Sequence, residues 1–267
     1  MKIRRRHFLS LLAGGVPLAA GAEACVLEPE WLSLRRMKVG SGPVRRRFVH
    51  FTDVHFRGDV EYLERVVSEI NRLVPDFVCF TGDLVEEAAR FEPALKILSG
   101  IRAPLFAVPG NHDHWARADF RIGRRILSAG GGAWLQNERV SLADGEIYLT
   151  GVDRLPCPVS TVPGAFNLLL MHYPLWADSL NGTRMDLMLA GHSHGGQVRL
   201  PGIGALVQPT LTGRYILGQF ETPGGTLYVN PGIGTFRLNV RFNCRPEITL
   251  FELGNAPFTL QPAATAA

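Results

Sequence analysis

FVHFTDVH at residues 48–55, FVCFTGD at residues 77–83 and LFAVPGNHD at residues 105–113 are three short apolar runs that each lead into a polar cluster. Runs of this kind are typical of strands buried on both faces of a parallel sheet. Residues 60–74 and 86–98, which separate them, have helical periodicity. We therefore predict successive β-α-β units whose polar residues lie at the carboxyl ends of the strands.

The second half of the chain is dense in predicted strands. Strand-like runs separated by Gly, Pro and Asn turns cover residues 134–142, 147–152, 166–171, 187–190, 196–200, 226–229 and 248–253. Parallel units followed by a strand-rich half predict an α/β fold, a single domain in which two mixed β-sheets pack as a sandwich flanked by helices.

The composition excludes a disordered or fibrous chain, because 46% of the 267 residues are hydrophobic and only 19% are charged. The formal charge of +4 is unevenly distributed. Residues 1–50 hold 10 basic and 3 acidic side chains, and the remainder holds 18 basic and 21 acidic ones. The predicted domain is thus slightly acidic, so we expect no nucleic-acid partner and disfavour a nuclease.

The first 24 residues have the features of an export signal. A basic cluster, Arg4 to Arg6, precedes an apolar stretch over residues 9–22, and a small-x-small cleavage pattern follows at residues 22–24. The stretch around Arg5-Arg6 resembles a twin-arginine signal. We therefore expect segment 1–24 to direct export to the periplasm or cell envelope, with its cleavage or retention left open.

We interpret residues 25–46 as a linker with an amphipathic patch, residues 47–254 as the folded domain and residues 255–267 as a disordered tail. Trp31, Leu32 and Leu34 lie beside arginines in the linker. Two alternatives stay open for these apolar side chains: peripheral contact with a membrane surface, or packing onto the domain.

Five polar clusters follow predicted strands and together contain aspartate, asparagine and histidine. They are Asp53-Val54-His55, Gly82-Asp83, Gly110-Asn111-His112-Asp113, Met171-His172-Tyr173 and the stretch from Gly191 to Gln197. Carboxylate oxygen together with imidazole nitrogen suits Mn, Fe or Zn better than Ca, which prefers oxygen ligands alone. The sequence therefore predicts a transition-metal site at the sheet edge.

This ordered set of motifs resembles the calcineurin-like metallophosphoesterase superfamily, over residues 47 to about 253. The resemblance implies seven ligands for two divalent metal ions: Asp53, His55 and His194 for one, Asn111, His172 and His192 for the other, and Asp83 between them. It also implies that His112 faces the substrate as the catalytic general acid and that Asp113 orients His112 through a hydrogen bond.

The activity implied by the resemblance is hydrolysis of a phosphoester, in particular a phosphodiester, by a hydroxide that bridges two metal ions. The stretches 191–197 and 232–247 resemble a bacterial branch containing exported or membrane-associated phosphodiesterases and a UDP-2,3-diacylglucosamine pyrophosphatase of lipid A biosynthesis. The substrate alternatives are therefore a phosphodiester outside the cytoplasm or a UDP-linked lipid at the membrane. A non-catalytic, metal-bound interaction module is the alternative from another class.

Arginines in or beside the motif loops are candidates for contacts to phosphate. They are Arg57, Arg154, Arg199, Arg214 and Arg241.

Overall fold

The structure is a computed structural model that describes residues 21–180 and 182–263. Residues 1–20 of the predicted signal segment and residues 264–267 of the predicted tail lie outside this range. The helices are α1 (Val60–Arg72), α2 (Phe91–Leu98), α3 (Asn111–Trp115) and α4 (Phe120–Ala129). The strands are β1 (Ser33–Phe51), β2 (Phe77–Phe80), β3 (Leu105–Ala107), β4 (Ala133–Trp134), β5 (Glu138–Leu142), β6 (Ile147–Val152), β7 (Phe166–Met171), β8 (Met185–Ala190), β9 (Arg199–Leu200), β10 (Gly204–Ala205), β11 (Gly218–Thr222), β12 (Gly225–Val229) and β13 (Glu247–Pro262).

The strands form two large sheets and one short hairpin. The first sheet has the order β13-β1-β2-β3-β4, and the second has the order β11-β12-β8-β7-β6-β5. Strands β1 to β4 are parallel to one another, whereas β5 and β11 are antiparallel edge strands of the second sheet. The predicted α/β sandwich of two mixed sheets is confirmed.

Alternation along the short strands divides their side chains between two hydrophobic layers. Phe48, Phe77 and Phe106 face the second sheet, where they pack in one core with Leu168 and Tyr228. Their sequence neighbours Val49 and Val78 point the other way, toward a layer built with the helices. Because successive side chains of a strand point to opposite faces, a fully apolar strand is the expected sequence for this position.

The linker prediction for residues 25–46 is wrong, because residues 33–46 belong to β1. Both ends of β1 lie beside β13: Ser33 is opposite Glu247 and His50 is opposite Thr249. The chain bends at Gly40, which has a φ of 81° and passes so close to Asn255 that a Cβ atom would not fit. The missed strand has few apolar residues in this part, since most of its side chains are exposed.

The tail prediction is also wrong for residues 255–262, which continue β13 beside β1. Of the patch in the predicted linker, Leu32 packs against the core, whereas Trp31 is half exposed and lies under the Arg245 guanidinium. Within the residues described, no helix is long and apolar enough to cross a membrane.

Candidate active site

The carboxyl ends of strands from both sheets converge on one cluster of buried side chains. Ligand atoms of Asp53, His55, Asp83 and His194 lie within 4.8 Å of one another. A second group within the same distance contains Asp83, His172 and His192. Asp83 belongs to both groups, which is the position expected of a residue shared by two metal ions.

Asn111, the first residue of α3, completes the second group. Its Oδ1 atom lies 3.0 Å from His172 Nε2, and its side chain is buried. All seven predicted ligands therefore lie in one cluster, although they come from five separate loops.

Hydrogen bonds to main-chain carbonyls aim two of these imidazoles into the cluster. His172 Nδ1 lies 2.7 Å from the Thr81 carbonyl oxygen, and His192 Nε2 lies 2.6 Å from that of Thr210. Each of these ring nitrogens must donate a proton, which leaves the other nitrogen with a free lone pair. Those other nitrogens, His172 Nε2 and His192 Nδ1, are 3.1 Å apart.

Two lone pairs at this distance repel unless a cation lies between them. Without a metal, a proton on His172 relieves the repulsion: although burial opposes it, the negative charge of Asp83 raises the pKa of His172 to about 9. The residues present thus fit a divalent cation, which would replace that proton. The cluster is suitable for a binuclear metal site.

The pKa values of the Asp53 and Asp83 carboxylates are shifted in opposite directions. Burial raises the pKa of Asp53 to about 6, with a further contribution from Asp83. Burial acts on Asp83 in the same sense, but the charge of His172 and its hydrogen bond hold the pKa of Asp83 far below the usual range. Burial lowers the pKa of His192 to about 4. A metal ligand must be deprotonated, and these last two shifts favour that state.

The backbone at the cluster is strained. Five ligand residues have φ between 45° and 68°, in the left-handed region that disfavours side chains: Asp53, His55, Asp83, His192 and His194. Strain of this kind persists only where the surrounding structure fixes it, and it is concentrated at functional sites.

A sequence profile of the family described as calcineurin-like phosphoesterase matches residues 46–196. This range contains all seven predicted metal ligands. The chain belongs to this family. It is 31% identical to an uncharacterized metallophosphoesterase of Bacillus subtilis, YkuE, over 94% of this chain and 98% of the relative. It is 29% identical to the phosphodiesterase YaeI of Escherichia coli, over 94% of this chain and 99% of that one.

Among solved structures, a dimetal phosphatase from Danio rerio matches with a TM-score of 0.44 and 13% identity, over 72% of this chain and 88% of that one. Family membership and the buried cluster together make the chain a metal-dependent phosphoester hydrolase.

In this phosphoesterase, Asp113 does not orient His112 as predicted. Its carboxylate accepts hydrogen bonds of 2.9 to 3.1 Å from the backbone N–H groups of Asp83, Leu84, Val85 and Gly110. In the part of the chain that the structure describes, no hydrogen bond joins the Asp113 carboxylate to the His112 imidazole. Asp113 instead joins the loops that carry Asp83 and Asn111.

His112 lies at the mouth of the cluster, among rings. Its centroid is 4.7 Å from that of His55, 4.7 Å from that of Trp115 and 5.1 Å from that of Phe236. Its backbone N–H donates to Asp83 Oδ1 at 2.7 Å. Burial lowers the pKa of His112, which favours the neutral imidazole.

Glu86 is a site residue that the sequence analysis missed. Its Oε1 atom lies 3.2 Å from His55 Nδ1 and 3.0 Å from an Arg57 guanidinium nitrogen. A carboxylate this close to Nδ1 favours a proton there, which leaves Nε2 to face the cluster. The available signal was the position of Glu86, three residues after Asp83.

The candidate phosphate-binding arginines have different environments. Arg241 is fully buried and donates to four main-chain carbonyls, so its prediction as a phosphate contact is wrong. Arg199 donates to the Gly195 carbonyl, and Arg214 to the Tyr215 hydroxyl. Arg154 lies 3.5 Å from His114 Nδ1, and His114 in turn lies 2.6 Å from Asp153.

Proposed function

We propose that this phosphoesterase hydrolyses phosphodiesters at its cluster of predicted metal ligands, called the metal cluster below, and that it does so outside the cytoplasm. The observation that carries the chemical part is the shared position of Asp83, which lies in reach of both ligand groups. The Escherichia coli relative is named as a phosphodiesterase, which supports the choice of a diester.

The chain's own residues divide the work between holding cations and contacting the substrate. Asp53, His55 and His194 would hold one cation, Asn111, His172 and His192 the other, and Asp83 both. Two bound cations would supply a hydroxide near neutral pH and neutralise phosphate charge. His112, at the mouth of the cluster, donates a hydrogen bond toward the leaving oxygen, which gains charge as the P–O bond breaks.

The test is turnover of bis-p-nitrophenyl phosphate together with metal content by mass spectrometry. We expect two metals per chain in the wild type, loss of both metal and turnover in Asp83→Ala, and loss of turnover with metal retained in His112→Ala. His114→Ala is the matched control, because this neighbouring histidine bonds to Asp153 rather than to the cluster. Turnover no higher than background in the wild type, and unchanged by Asp83→Ala and His112→Ala, would instead support a non-catalytic interaction module.

UDP-2,3-diacylglucosamine is a second candidate substrate. The two stretches that carry this resemblance, 191–197 and 232–247, contact each other beside the cluster: Phe236 N–H donates to Gln197 Oε1 at 2.8 Å. The lipid and bis-p-nitrophenyl phosphate should be compared in the same detergent with the same metal. Turnover of only the aryl diester would exclude the lipid.

Export by a twin-arginine signal remains our proposal for residues 1–24, on the basis of the basic pair and the apolar stretch. The variant Arg5→Lys/Arg6→Lys should leave the protein in the cytoplasmic fraction of a bacterium that secretes the wild type. Equal amounts of both proteins outside the cytoplasm would exclude this route.

A further inference from the structure

An apolar groove with a volume of about 250 Å³ opens beside His194. Val198, Val207, Pro209, Phe236 and Leu238 are among its lining residues. Because His194 belongs to the cluster of predicted metal ligands and also lines the groove, the groove lies directly beside the catalytic centre. None of the reaction steps proposed above needs these apolar side chains.

Two loops that are far apart in sequence build this groove. One is the stretch 193–209, whose residues on either side of the β9–β10 hairpin line the groove, and the other is the stretch 236–240. Gln197 joins them, since its amide nitrogen donates to the Phe236 and Leu238 carbonyls at 3.2 and 3.1 Å. The groove is therefore held by specific hydrogen bonds.

Large apolar side chains project into solvent along these loops. We call four of them the apolar rim: Ile203, Leu206, Val207 and Leu238, with exposed fractions of 73%, 52%, 70% and 70%. Trp115, which is 70% exposed, packs against His112, and His112 also contacts Phe236. Clustered exposure of large apolar side chains is unusual in a soluble protein and marks an interaction surface.

The charged side chains on the two loops that carry the rim are arginines. No aspartate or glutamate occurs at residues 187–220 or 222–246. Arg199 belongs to the β9–β10 hairpin, and Arg237 lines the groove. An exposed apolar surface whose own loops carry arginines and no carboxylates is complementary to an anionic lipid surface, where apolar side chains enter the interface and cations contact the headgroups.

We propose that the apolar rim docks the enzyme on an anionic lipid bilayer, with the mouth of the metal cluster facing the lipid. This orientation gives the cluster access to phosphodiesters presented at a membrane. The apolar rim is a different surface from the patch of Trp31, Leu32 and Leu34. In that patch, Leu32 packs against the core. Docking is separate from hydrolysis, so the two can fail independently.

The test is the environment of a fluorescent label on the full chain. The label is attached at Val207→Cys or, as a matched control, at Val74→Cys. Val74 is 75% exposed and lies between α1 and β2, at the edge of the sheet opposite the metal cluster. In both proteins Cys25 and Cys157 are replaced by serine, whereas Cys79 and Cys244 are buried and stay.

With vesicles of equal parts phosphatidylglycerol and phosphatidylcholine, we expect the label at position 207 to shift its emission to the blue and to lose most of its quenching by iodide. The label at position 74 should change little. Vesicles of phosphatidylcholine alone should give a smaller effect at position 207, and added salt should weaken the effect. The double variant Val207→Ser/Leu238→Ser should sediment less with anionic vesicles and still hydrolyse bis-p-nitrophenyl phosphate at the wild-type rate.

Equal quenching at both positions on vesicle-bound protein would overturn the proposal, because the chain would then be attached through its leader alone. Protection at both positions would overturn it as well, since the face that binds would not be specific. The label reports docking without turnover, so an inactive protein that still protects position 207 would refute the proposed hydrolysis and leave the docking surface intact.

Discussion

Two buried charged side chains, Asp113 and Arg241, stabilise loops on two sides of the active site. Each forms hydrogen bonds with backbone groups rather than with a side chain of opposite charge. The Asp113 carboxylate accepts four backbone N–H groups from the loops that carry Asp83 and Asn111. The Arg241 guanidinium donates to the carbonyls of Pro231, Gly232, Gly234 and Cys244. The loop from Pro231 to Gly234 lies against Asp53, whose carbonyl oxygen accepts a hydrogen bond from the Gly234 N–H at 2.8 Å.

The difference between these two supports is the length of chain that each one spans. Asp113 reaches only residues in neighbouring motif loops. The backbone N–H of Arg241 donates to the Ala24 carbonyl at 2.9 Å. The Glu28 carboxylate, four residues after Ala24, accepts from the backbone N–H of Asn243 at 2.8 Å. The Arg241 side therefore depends on the N-terminal segment, whereas the Asp113 side is assembled locally.

Replacing Asp113 should have the largest effect. Asp113→Ala leaves four buried N–H groups without an acceptor, so we expect the free energy of unfolding to fall by about 4 kcal/mol, with loss of metal binding. Guanidinium unfolding and metal content measure the two effects. The control is Asp119→Ala, an exposed cap of α4, for which we expect about 1 kcal/mol and unchanged metal binding. Equal losses in the two variants would refute the support that we assign to Asp113.

Replacing Arg241 should have the next largest effect. Arg241→Met keeps the side-chain bulk but leaves the carbonyls of Pro231, Gly234 and Cys244 without a donor. We expect a loss of about 3 kcal/mol in denaturant unfolding. Metal should be retained more fully than in Asp113→Ala, because Arg241 contacts Asp53 only through the backbone of the intervening loop. Arg245→Met is the control, since this exposed arginine stacks on Trp31. Metal loss equal to that of Asp113→Ala would show that the two supports are equivalent.

The local side of the site could be predicted from the sequence, and the long-range side could not. Short apolar strands followed by Asp53, Asp83 and Asn111 predict a polar sheet edge, and the structure brings these residues together. The functions of Asp113 and Arg241 were both predicted wrongly. A residue's position in a motif says that it is near the site, but it does not identify the atoms that the side chain contacts.

Most of strand β1 was also missed. Residues 33–46 are mostly exposed, so the apolar pattern that identifies a buried strand is absent. Their pairing with β13 joins residues that are far apart in the chain, such as Ser33 and Glu247. Composition alone contains no signal for such a contact.

The pH dependence of the free energy of unfolding tests the Asp113 side of the site through His50. His50 Nε2 lies 2.8 Å from Thr81 Oγ1, in the loop whose carbonyl orients His172. Burial lowers the pKa of His50 to about 3. Between that value and the ordinary histidine pKa of about 6.5, the unfolded chain binds the extra proton, so stability falls as the pH falls.

We expect His50 to contribute a slope of about 1.4 kcal/mol per pH unit within this window, or about 2 kcal/mol between pH 6 and pH 4.5. Unfolding of the wild type and of His50→Gln should be compared across this range, because the other titrating groups are common to both proteins. The two proteins should differ in slope and converge at low pH. Parallel curves would show that His50 is protonated in the folded chain.

The smallest effect should come from Glu28, which tests whether the N-terminal segment supports the Arg241 side. Glu28→Gln weakens two charge-assisted hydrogen bonds to the backbone of Asn243 and Cys244, and we expect a loss of about 1 kcal/mol in unfolding. Glu30→Gln is the control, because its carboxylate makes an exposed pair with Arg65 and the change should affect stability little. If Arg241→Met and Glu28→Gln act on one unit, the double variant should lose less than the sum of the two single losses. Additive losses would mean that Arg241 holds its loop without help from the N-terminal segment, and both supports would then be local.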